Sequence, residues 1–390
     1  MKIQKIMFGA LLLLGFTLPL AEALKNLALI VFLLTGVYAV YKKEIMIKWD
    51  FLNISILMIP LAILIGSYFA IDPKNTIRGL NSIITMAVMF IFIREMDWHE
   101  QRIKAFLSVL FGGFLVALGI GYYNLIYAGK TFLELHSVGH VNHSSIYMLL
   151  IFIISFVYAT LNWKKMTLFQ KVLTVIVIIS SIVSVFITGS RATMYTSLGI
   201  LSLYMFYNII IIDKRMIFLF LIMGLLIVVL FMFNVDARMI VKFKRGIFSD
   251  PARLELIHTF FYAWKDHNWL FGVGVNNSGM IDLSLYGGKI ISSMGHAHNT
   301  FLTYLVERGI VGLALYLIFM FTVFSVLIKR ILIMPKNYLV VMSLLIWIAN
   351  FIISFANTTF HHENAILMLI IWAIAIRSTQ DEKILFYSSK

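Results

Sequence analysis

Long apolar runs separated by short polar connectors make up most of the chain. Most of these runs reach the roughly 17–25 residues that a helix needs to cross a bilayer. Hydropathy therefore predicts an all-α integral membrane protein with about twelve transmembrane helices. The predicted helices are 6–22, 24–41, 51–70, 78–94, 104–127, 144–161, 169–187, 192–211, 215–233, 300–328, 338–355 and 362–377.

A polar stretch between the ninth and tenth predicted helices divides the chain. The predicted parts are nine helices, one large loop with short helices, and three helices with a tail, at 1–233, 234–299 and 300–390. The loop closes with His296, His298 and Asn299, directly before the apolar run that begins at Phe301. Side chains that could take part in catalysis therefore lie at the N-terminal end of the tenth predicted helix.

Lysine and arginine in the short connectors predict the orientation of the helices, because cytoplasmic loops carry an excess of both. One set of connectors, together with both chain ends, is rich in basic residues, for example Lys42, Lys43, Lys48, Arg102 and Lys104. The opposite connectors hold few lysines and arginines. The first set is predicted to be cytoplasmic, so the 234–299 loop is predicted to lie on the outer side of the membrane.

This orientation places nearly all of the histidines on one side. Nine of the ten fall in outer loops or at outer helix ends, namely His136, His140, His143, His258, His267, His296, His298, His361 and His362. Arg191 also lies at an outer helix end. If the protein is an enzyme, its site is therefore expected to face outward.

Composition narrows the functional classes. The chain is 61% hydrophobic and 13% charged, whereas soluble domains carry about 25% charged residues. The net charge of +14 is better explained by the basic cytoplasmic loops than by nucleic-acid binding, and no nucleic-acid partner is predicted. The absence of cysteine excludes disulfides and thiolate chemistry.

Two arginines are candidate anion ligands. Arg191 follows Thr188-Gly189-Ser190, which offers hydroxyl and backbone donors as an anion site would require. An arginine at the hydrocarbon boundary can equally extend its charge to the interface. Arg253 follows Asp250-Pro251, a predicted helix start, where backbone amides favour anions. Guanidinium groups bind phosphate oxygens in a bidentate manner.

Lys242 and Arg245 lie in a basic stretch of the same loop. They are candidate substrate-binding residues, and a basic surface attracted to anionic lipid head groups is the alternative. The glycines of 271–277 resemble a phosphate-binding loop only superficially, because the GK[ST] ending is missing. That stretch is predicted to be a turn that returns the loop toward the membrane.

His298 is the candidate general base, because histidine can take up a proton near neutral pH. His296 stands beside it as a substrate-binding candidate, and Asn299 can bind substrate or cap the following helix. Glu307 is too far along a regular helix to orient His298.

A metal site is the rival use of the histidines. The candidate ligand groups are His140 with His143, His296 with His298, and His361 with His362 and Glu363. Such mixed ligands could hold zinc. The sequence has no HExxH motif, no cysteine and no cluster of carboxylates. A metal-independent site with no cofactor is therefore preferred.

Three motifs together resemble a known family. They are Ser190-Arg191 after a membrane helix, Arg253 ahead of Gly272-x-Gly-x-Asn276, and His298-Asn299 followed by Phe-Leu-x-x-Leu-x-Glu-x-Gly-x-x-Gly up to Gly312. In combination with the topology, they are similar to those of the bacterial O-antigen ligase and polymerase superfamily.

The resemblance implies a GT-C-like membrane glycosyltransferase of the bacterial inner membrane with a periplasmic active site. It implies inverting, metal-independent transfer of a glycan from undecaprenyl pyrophosphate. Arg191 and Arg253 would bind the pyrophosphate, and His298 would be the base. The preferred activity is that of an O-antigen ligase, whose acceptor is a hydroxyl of a lipid A core sugar. The protein would then act in lipopolysaccharide biosynthesis and would be surrounded by membrane lipids.

Other activities remain open. An O-antigen polymerase and a protein O-oligosaccharyltransferase share the same motifs. A transporter or flippase of a polyanionic lipid would use the arginines for binding only. It is disfavoured because charged residues are sparse within the predicted helices, where a proton-coupled transporter would need them.

Overall fold

The computed structural model describes residues 2–211, 224–225, 251–288, 295–360 and 362–380. Its helices, numbered in chain order over these residues, are α1 Lys2–Thr17, α2 Glu22–Tyr41, α3 Phe51–Gly66, α4 Pro73–Glu95, α5 Glu100–Ile126, α6 Val141–Asn162, α7 Leu168–Ile187, α8 Arg191–Ile211, α9 Pro251–Asp266, α10 Thr300–Ile333, α11 Tyr338–Ser354 and α12 His362–Ser378. Short 3₁₀ turns occur at Ser67–Phe69, Trp163–Lys165, Ser278–Met280 and Leu283–Tyr286. The predicted helix 215–233 falls outside the described residues apart from 224–225, which are helical.

The prediction of an all-α polytopic membrane protein is confirmed. No strand occurs in the described part of the chain, and eight of its helices are long and apolar enough to cross a membrane, while α11 is apolar but shorter. The predicted count of twelve is not confirmed. Eleven of the predicted helices coincide with α1–α8 and α10–α12 to within a few residues.

Side-chain caps define where several of these helices begin. The side-chain oxygens of Asp50, Asp72, Thr167, Asn299 and Asn337 accept hydrogen bonds from backbone amides in the first turns of α3, α4, α7, α10 and α11. The first amides of a helix have no partner within it, and a cap of this kind stabilises a helix by about 0.5–2 kcal/mol. Polar residues beside apolar runs therefore determine the ends of the membrane helices.

α6 and α12 form the centre of the bundle. In its most apolar stretch α6 is 89% buried, whereas the corresponding stretch of α2 is 33% buried, so α2 presents most of its surface outward. Every residue of α12 from Glu363 to Ile376 is buried. The indole of Trp372 donates a hydrogen bond to the Ser343 carbonyl at 3.1 Å. α12 is thus an apolar helix that is packed on all sides, with its indole N–H paired.

The beginnings of α6, α8 and α12 lie at one end of the bundle. The Asn364 side chain donates to the His143 carbonyl at 3.2 Å, and the hydroxyls of Ser145 and Thr193 are hydrogen-bonded. These contacts join the first turns of the three helices. We call this end, which carries His143 and His362, the histidine end.

α10 departs from the predicted uninterrupted helix 300–328. It extends to Ile333 and is broken at Gly309, whose φ of 64° and ψ of −170° are non-helical. This region of backbone conformation is essentially restricted to glycine. The break leaves helix carbonyls and amides without their usual partners, which would cost about 1–3 kcal/mol for each buried group.

The segment that follows α9 supplies the missing partners. Four backbone hydrogen bonds join it to the break: Val273 N–H to Val306 C=O (2.8 Å), Gly274 N–H to Glu307 C=O (3.0 Å), Ile310 N–H to Trp269 C=O (3.1 Å) and Val311 N–H to Leu270 C=O (3.1 Å). Non-helical backbone at membrane depth is tolerated only where protein or water satisfies it. Residues 269–274 therefore act as an insert, which we call the glycine insert, that completes α10.

Gly309→Ala is expected to destabilise the protein. A Cβ at this position would overlap the Leu270 carbonyl, and the backbone strain alone costs roughly 1–3 kcal/mol. Thermal unfolding in detergent should show a clearly lower midpoint. The matched control is Gly119→Ala on α5, where a Cβ would meet nothing within 4 Å. An unchanged midpoint for Gly309→Ala would contradict the role of the break.

Candidate active site

His298 stands in the turn that leads into α10. Its φ of 48° is left-handed, a conformation that a non-glycine residue adopts only where its surroundings hold it. The neighbours provide that restraint, since Ala297 is 3% exposed and Asn299 caps α10. The half-buried imidazole packs edge-on against that of His296, with ring centroids 4.4 Å apart.

The surroundings of His298 favour its neutral form. Burial, together with the nearby His296 and Arg253, lowers the pKa of His298 to about 4, although hydrogen bonding with the Asn357 side chain opposes this shift. Its Nδ1 is buried and has no hydrogen-bond partner among the described residues. The neutral imidazole is the form that can accept a proton, and the low pKa makes it a weak acceptor in the free protein.

Arg253 is brought to His298 by the way α9 packs. The predicted helix start is confirmed, since α9 begins at Pro251 and Arg253 lies in its first turn. Leu256, Phe260 and Ala263 of α9 join one apolar cluster with Ala297, Leu302 and Val306 of the α10 region. This cluster docks α9 against the turn that carries His298. The Arg253 side chain is exposed and acts electrostatically on the His298 imidazole.

Arg191 is the first residue of α8 and lies at the histidine end. Gly189 before it has a φ of 67°, and Ser190 is buried with its amide directed at the Thr188 hydroxyl at 3.4 Å. The half-buried Arg191 has no ion pair among the described residues. No described contact joins Arg191 to His298. The structure therefore places Arg191 at the expected helix start and leaves its role in the site a prediction.

Five of the described histidines converge at this end. His140, His296, His298 and His362 all lie within electrostatic range of His143, and burial followed by the proximity of His140 lowers the pKa of His296. In the part of the chain that the structure describes, no group of three histidine, cysteine, aspartate or glutamate side chains could hold a metal ion. His361, a predicted ligand in the rival metal site, lies outside the described residues.

Asn299 is occupied by protein contacts. Its Oδ1 accepts from the Leu302 amide at 3.0 Å, and its Nδ2 donates to the Phe355 carbonyl at 3.1 Å. The predicted capping role is confirmed, and substrate binding by Asn299 stays a prediction. The other predicted substrate-binding residues of the loop, Lys242 and Arg245, lie outside the described residues.

The Gly-x-Gly-x-Asn stretch is structural in this fold. Besides filling the break in α10, it is anchored to the start of α4, where the Asn75 side chain donates to the Asn276 carbonyl at 2.8 Å. The Asn277 side chain donates to the Asp72 and Val273 carbonyls at 3.1 and 3.0 Å. Glu307 accepts from the Ser278 hydroxyl at 2.9 Å, so its carboxylate is directed at this stretch.

Sequence reasoning missed three features of this region. Asn357, in the connection between α11 and α12, interacts with His298. Arg308 is largely buried within α10. A cavity of about 100 Å³ adjoins it, bounded by Ile56, Ile59, Gly79, Ser82, Ile83, Met86, Ala87, Val275, Asn276, Tyr304, Arg308, Phe319, Phe360, His362 and Leu369. Arg308 is a charged residue inside a predicted membrane helix, and such a residue often indicates a functional cavity. No local sequence pattern indicated a role for Asn357.

The fold and this region define a polytopic membrane protein with arginine and histidine side chains gathered at one end. Residues 175–317 match the O-antigen ligase family, which supports assignment to the O-antigen ligase and polymerase superfamily and confirms the resemblance. The matched segment contains Arg191, Arg253 and His298. Members of the family are glycosyltransferase-like enzymes, so an O-antigen ligase- or polymerase-type function is supported. No curated protein matches the chain.

The imidazole of His298 is expected to titrate at a lower pH than an ordinary histidine. Its folded-state pKa of about 4 lies below the ordinary 6.5, so the unfolded chain takes up a proton first. The contribution of His298 to stability is therefore present above pH 6.5 and declines as the pH falls toward 4. Histidine-ring NMR of the isotope-labelled protein in detergent measures the pKa directly.

Arg253 provides the matched control for this titration. Arg253→Gln removes a positive charge and should raise the pKa of His298, whereas Arg253→Lys keeps the charge and should change it less. A pKa of about 6.5 in the wild type would contradict the electrostatic environment described for His298.

Proposed function

We propose that the protein is an O-antigen ligase that transfers a glycan from undecaprenyl pyrophosphate to a hydroxyl of a lipid A core sugar. On this proposal the histidine end faces the periplasm, and the protein lies in the bacterial inner membrane with both termini in the cytoplasm. The observation that carries the proposal is a neutral, restrained His298 within electrostatic range of an arginine at a helix N-terminus. The family match supports the same class of reaction.

The proposed reaction is one inverting displacement. The acceptor oxygen forms a bond to the anomeric carbon while the bond from that carbon to the pyrophosphate oxygen breaks. The hydroxyl proton passes to His298, and undecaprenyl pyrophosphate leaves with an additional negative charge. Since a pyrophosphate is already a good leaving group, the site needs to stabilise charge more than it needs an acid.

Arg253 and Arg191 are suited to that stabilisation. Each occupies the first turn of a helix, α9 and α8 respectively, where backbone amides and the helix dipole also favour anions. Guanidinium groups remain charged at any working pH. Two such groups allow a metal-independent reaction. His296 beside the base, together with Asn299, Lys242 and Arg245, completes the proposed substrate-binding set.

Donor binding would also strengthen the base. In the free protein, burial and the positive charge of Arg253 lower the pKa of His298. A bound pyrophosphate would compensate that charge and place negative charge nearby, which raises the pKa of a histidine. His298 would therefore become a better proton acceptor once the donor is in place, so proton uptake would be coupled to donor binding.

The alternatives differ from this proposal in acceptor or in chemistry. An O-antigen polymerase would use the same donor and base with a second lipid-linked glycan as acceptor, and a protein O-oligosaccharyltransferase would use a protein hydroxyl. A flippase or transporter of a polyanionic lipid would need the arginines and no base. The restrained, neutral His298 favours a reaction over transport.

Substitutions should separate the base from the anion ligands. His298→Ala is expected to abolish transfer and leave donor binding intact, because the base acts on the acceptor. Arg191→Ala and Arg253→Ala should weaken donor binding as well, each removing a charge-assisted contact of roughly 1.5–3 kcal/mol. The assay uses purified protein, lipid-linked donor and core acceptor, with a chelator present.

His296→Ala is the matched control, because it removes a neighbouring imidazole that is not the proposed base. A transfer-dead His296→Ala beside a near-normal His298→Ala would reverse the assignment. Normal transfer by all four variants would support the transporter instead. Wild-type activity that is lost to the chelator and restored by one divalent ion would support the histidine metal site.

The deletion strain should distinguish ligase from polymerase. Loss of the ligase should remove all O-antigen from lipid A core and let polymerised, lipid-linked glycan accumulate. Loss of a polymerase should instead leave a single repeat attached to the core. Lipopolysaccharide gels of the deletion strain, with the wild-type and His298→Ala genes restored in parallel, show which pattern occurs.

A further inference from the structure

The cavity beside Arg308 has walls suited to a hydrocarbon chain. It lies between α3, α4, α10 and α12, and its walls are mostly apolar, as at Ile59, Met86 and Phe319. Its lining on α4 runs from Gly79 to Ala87, a rise of roughly 12 Å along the helix. The cavity therefore extends along α4 from its second turn into the interior of the bundle.

The charged guanidinium of Arg308 shares one part of this cavity with an amide and an imidazole. Asn276 and His362 line it beside Arg308, at the end of the bundle where α4 and α12 begin. Ile56 of α3 and Ala87 of α4 line its apolar part, further along these helices. A site with an apolar depth and a polar mouth suits an amphipathic ligand that has a charged head.

Arg308 carries a positive charge that the described part of the chain compensates incompletely. Its side chain is 11% exposed, and the Oε2 atom of Glu307 is 3.9 Å from its Nη2 atom, too far for a hydrogen bond. The guanidinium lies over the Tyr304 ring, 3.8 Å from the centroid. Its Nε is buried with no hydrogen-bond partner among the described residues. Donors left over in such surroundings favour an anion.

The mouth of the cavity adjoins the His298 region through the connection between α11 and α12. Asn357 in this connection interacts with His298, and Phe360, three residues later, lines the cavity. Thr300 binds the same connection, since its hydroxyl donates to the Asn357 carbonyl at 2.9 Å. This connection therefore links the wall of the cavity to the residues around the proposed base.

We propose that this cavity binds the first carbons of a single-chain lipid pyrophosphate, with Arg308 beside the phosphate. A dry cavity of about 150 Å³ accepts benzene, so the volume of about 100 Å³ here fits a branched group of roughly five carbons, the size of one isoprenoid unit. The choice of an isoprenoid rests on the proposed function, in which this lipid is the glycan carrier. Arg308 would be a third arginine at the donor, beside Arg191 and Arg253.

Binding of farnesyl pyrophosphate to the purified full-length protein tests this site without a glycan or an acceptor. Ile83→Phe narrows the cavity and should raise the Kd for farnesyl pyrophosphate at least tenfold while leaving that for inorganic pyrophosphate unchanged. Arg308→Gln should weaken binding of both ligands about tenfold or more. Retained binding of inorganic pyrophosphate also shows that Ile83→Phe is folded.

Two matched controls lie on α4. Ile84, next to Ile83, is 42% exposed, and Arg78 is exposed near the start of the same helix. Ile84→Phe and Arg78→Gln should each bind farnesyl pyrophosphate within twofold of the wild type. Equal loss of binding in Ile84→Phe or Arg78→Gln would show an effect unrelated to the cavity and would overturn the proposal.

A photoreactive benzophenone analogue of farnesyl pyrophosphate gives a second measurement that needs no variant. Crosslinks should map to cavity-lining residues of α3, α4, α10 and α12. Crosslinks at other residues would overturn the proposal. So would equal affinity of the wild type for farnesyl pyrophosphate and inorganic pyrophosphate, or full displacement of the analogue by phosphatidylglycerol at equal concentration. Normal transfer by His298→Ala would overturn the proposed reaction and leave this binding result standing.

Discussion

The described site depends on one constraint, which is the break in α10 at Gly309 together with the glycine insert that fills it. A membrane helix that is interrupted in the bundle exposes carbonyls and amides that lipid cannot satisfy. Here residues 269–274 pair with both sides of the break. Gly272 and Gly274 have positive φ angles and approach α10 and α4 so closely that a Cβ on either would overlap neighbouring atoms. The segment beyond α9 is thereby part of the membrane bundle.

Fixing this insert also fixes the residues on either side of it. α9 precedes the insert and carries Arg253, while the turn of His296 and His298 follows it and is tied back by the Ser278 hydroxyl, which donates to the Gly295 carbonyl at 2.6 Å. The apolar cluster between α9 and α10 then holds Arg253 against that turn. Preorganisation of this kind lets charges act on a neighbour without a further cost of ordering.

Paired charges hold the remaining helices at both ends of the bundle. At the histidine end Lys25 of α2 and Glu363 of α12 form a buried ion pair, to which the Ser137 hydroxyl adds a hydrogen bond at 3.1 Å. At the other end Arg94 pairs with Asp50. Removing one partner from a buried pair is costly, because the other charge stays unpaired. Arg308 differs from these residues, since among the described residues its charge faces only a distant carboxylate and an aromatic ring.

The sequence by itself determined the membrane helices, the start of α9 before Arg253 and the cap at Asn299. Each of these depends on residues close together in the chain, such as an apolar run or a polar residue directly before one. The motif resemblance also indicated His298 and the two arginines. Only the tertiary structure decided that α10 is broken, that His298 is neutral and that Arg308 borders a cavity. Those properties come from partners far apart in sequence, such as Val273 with Val306 and His298 with Asn357, and hydropathy along one segment carries no information about such pairs.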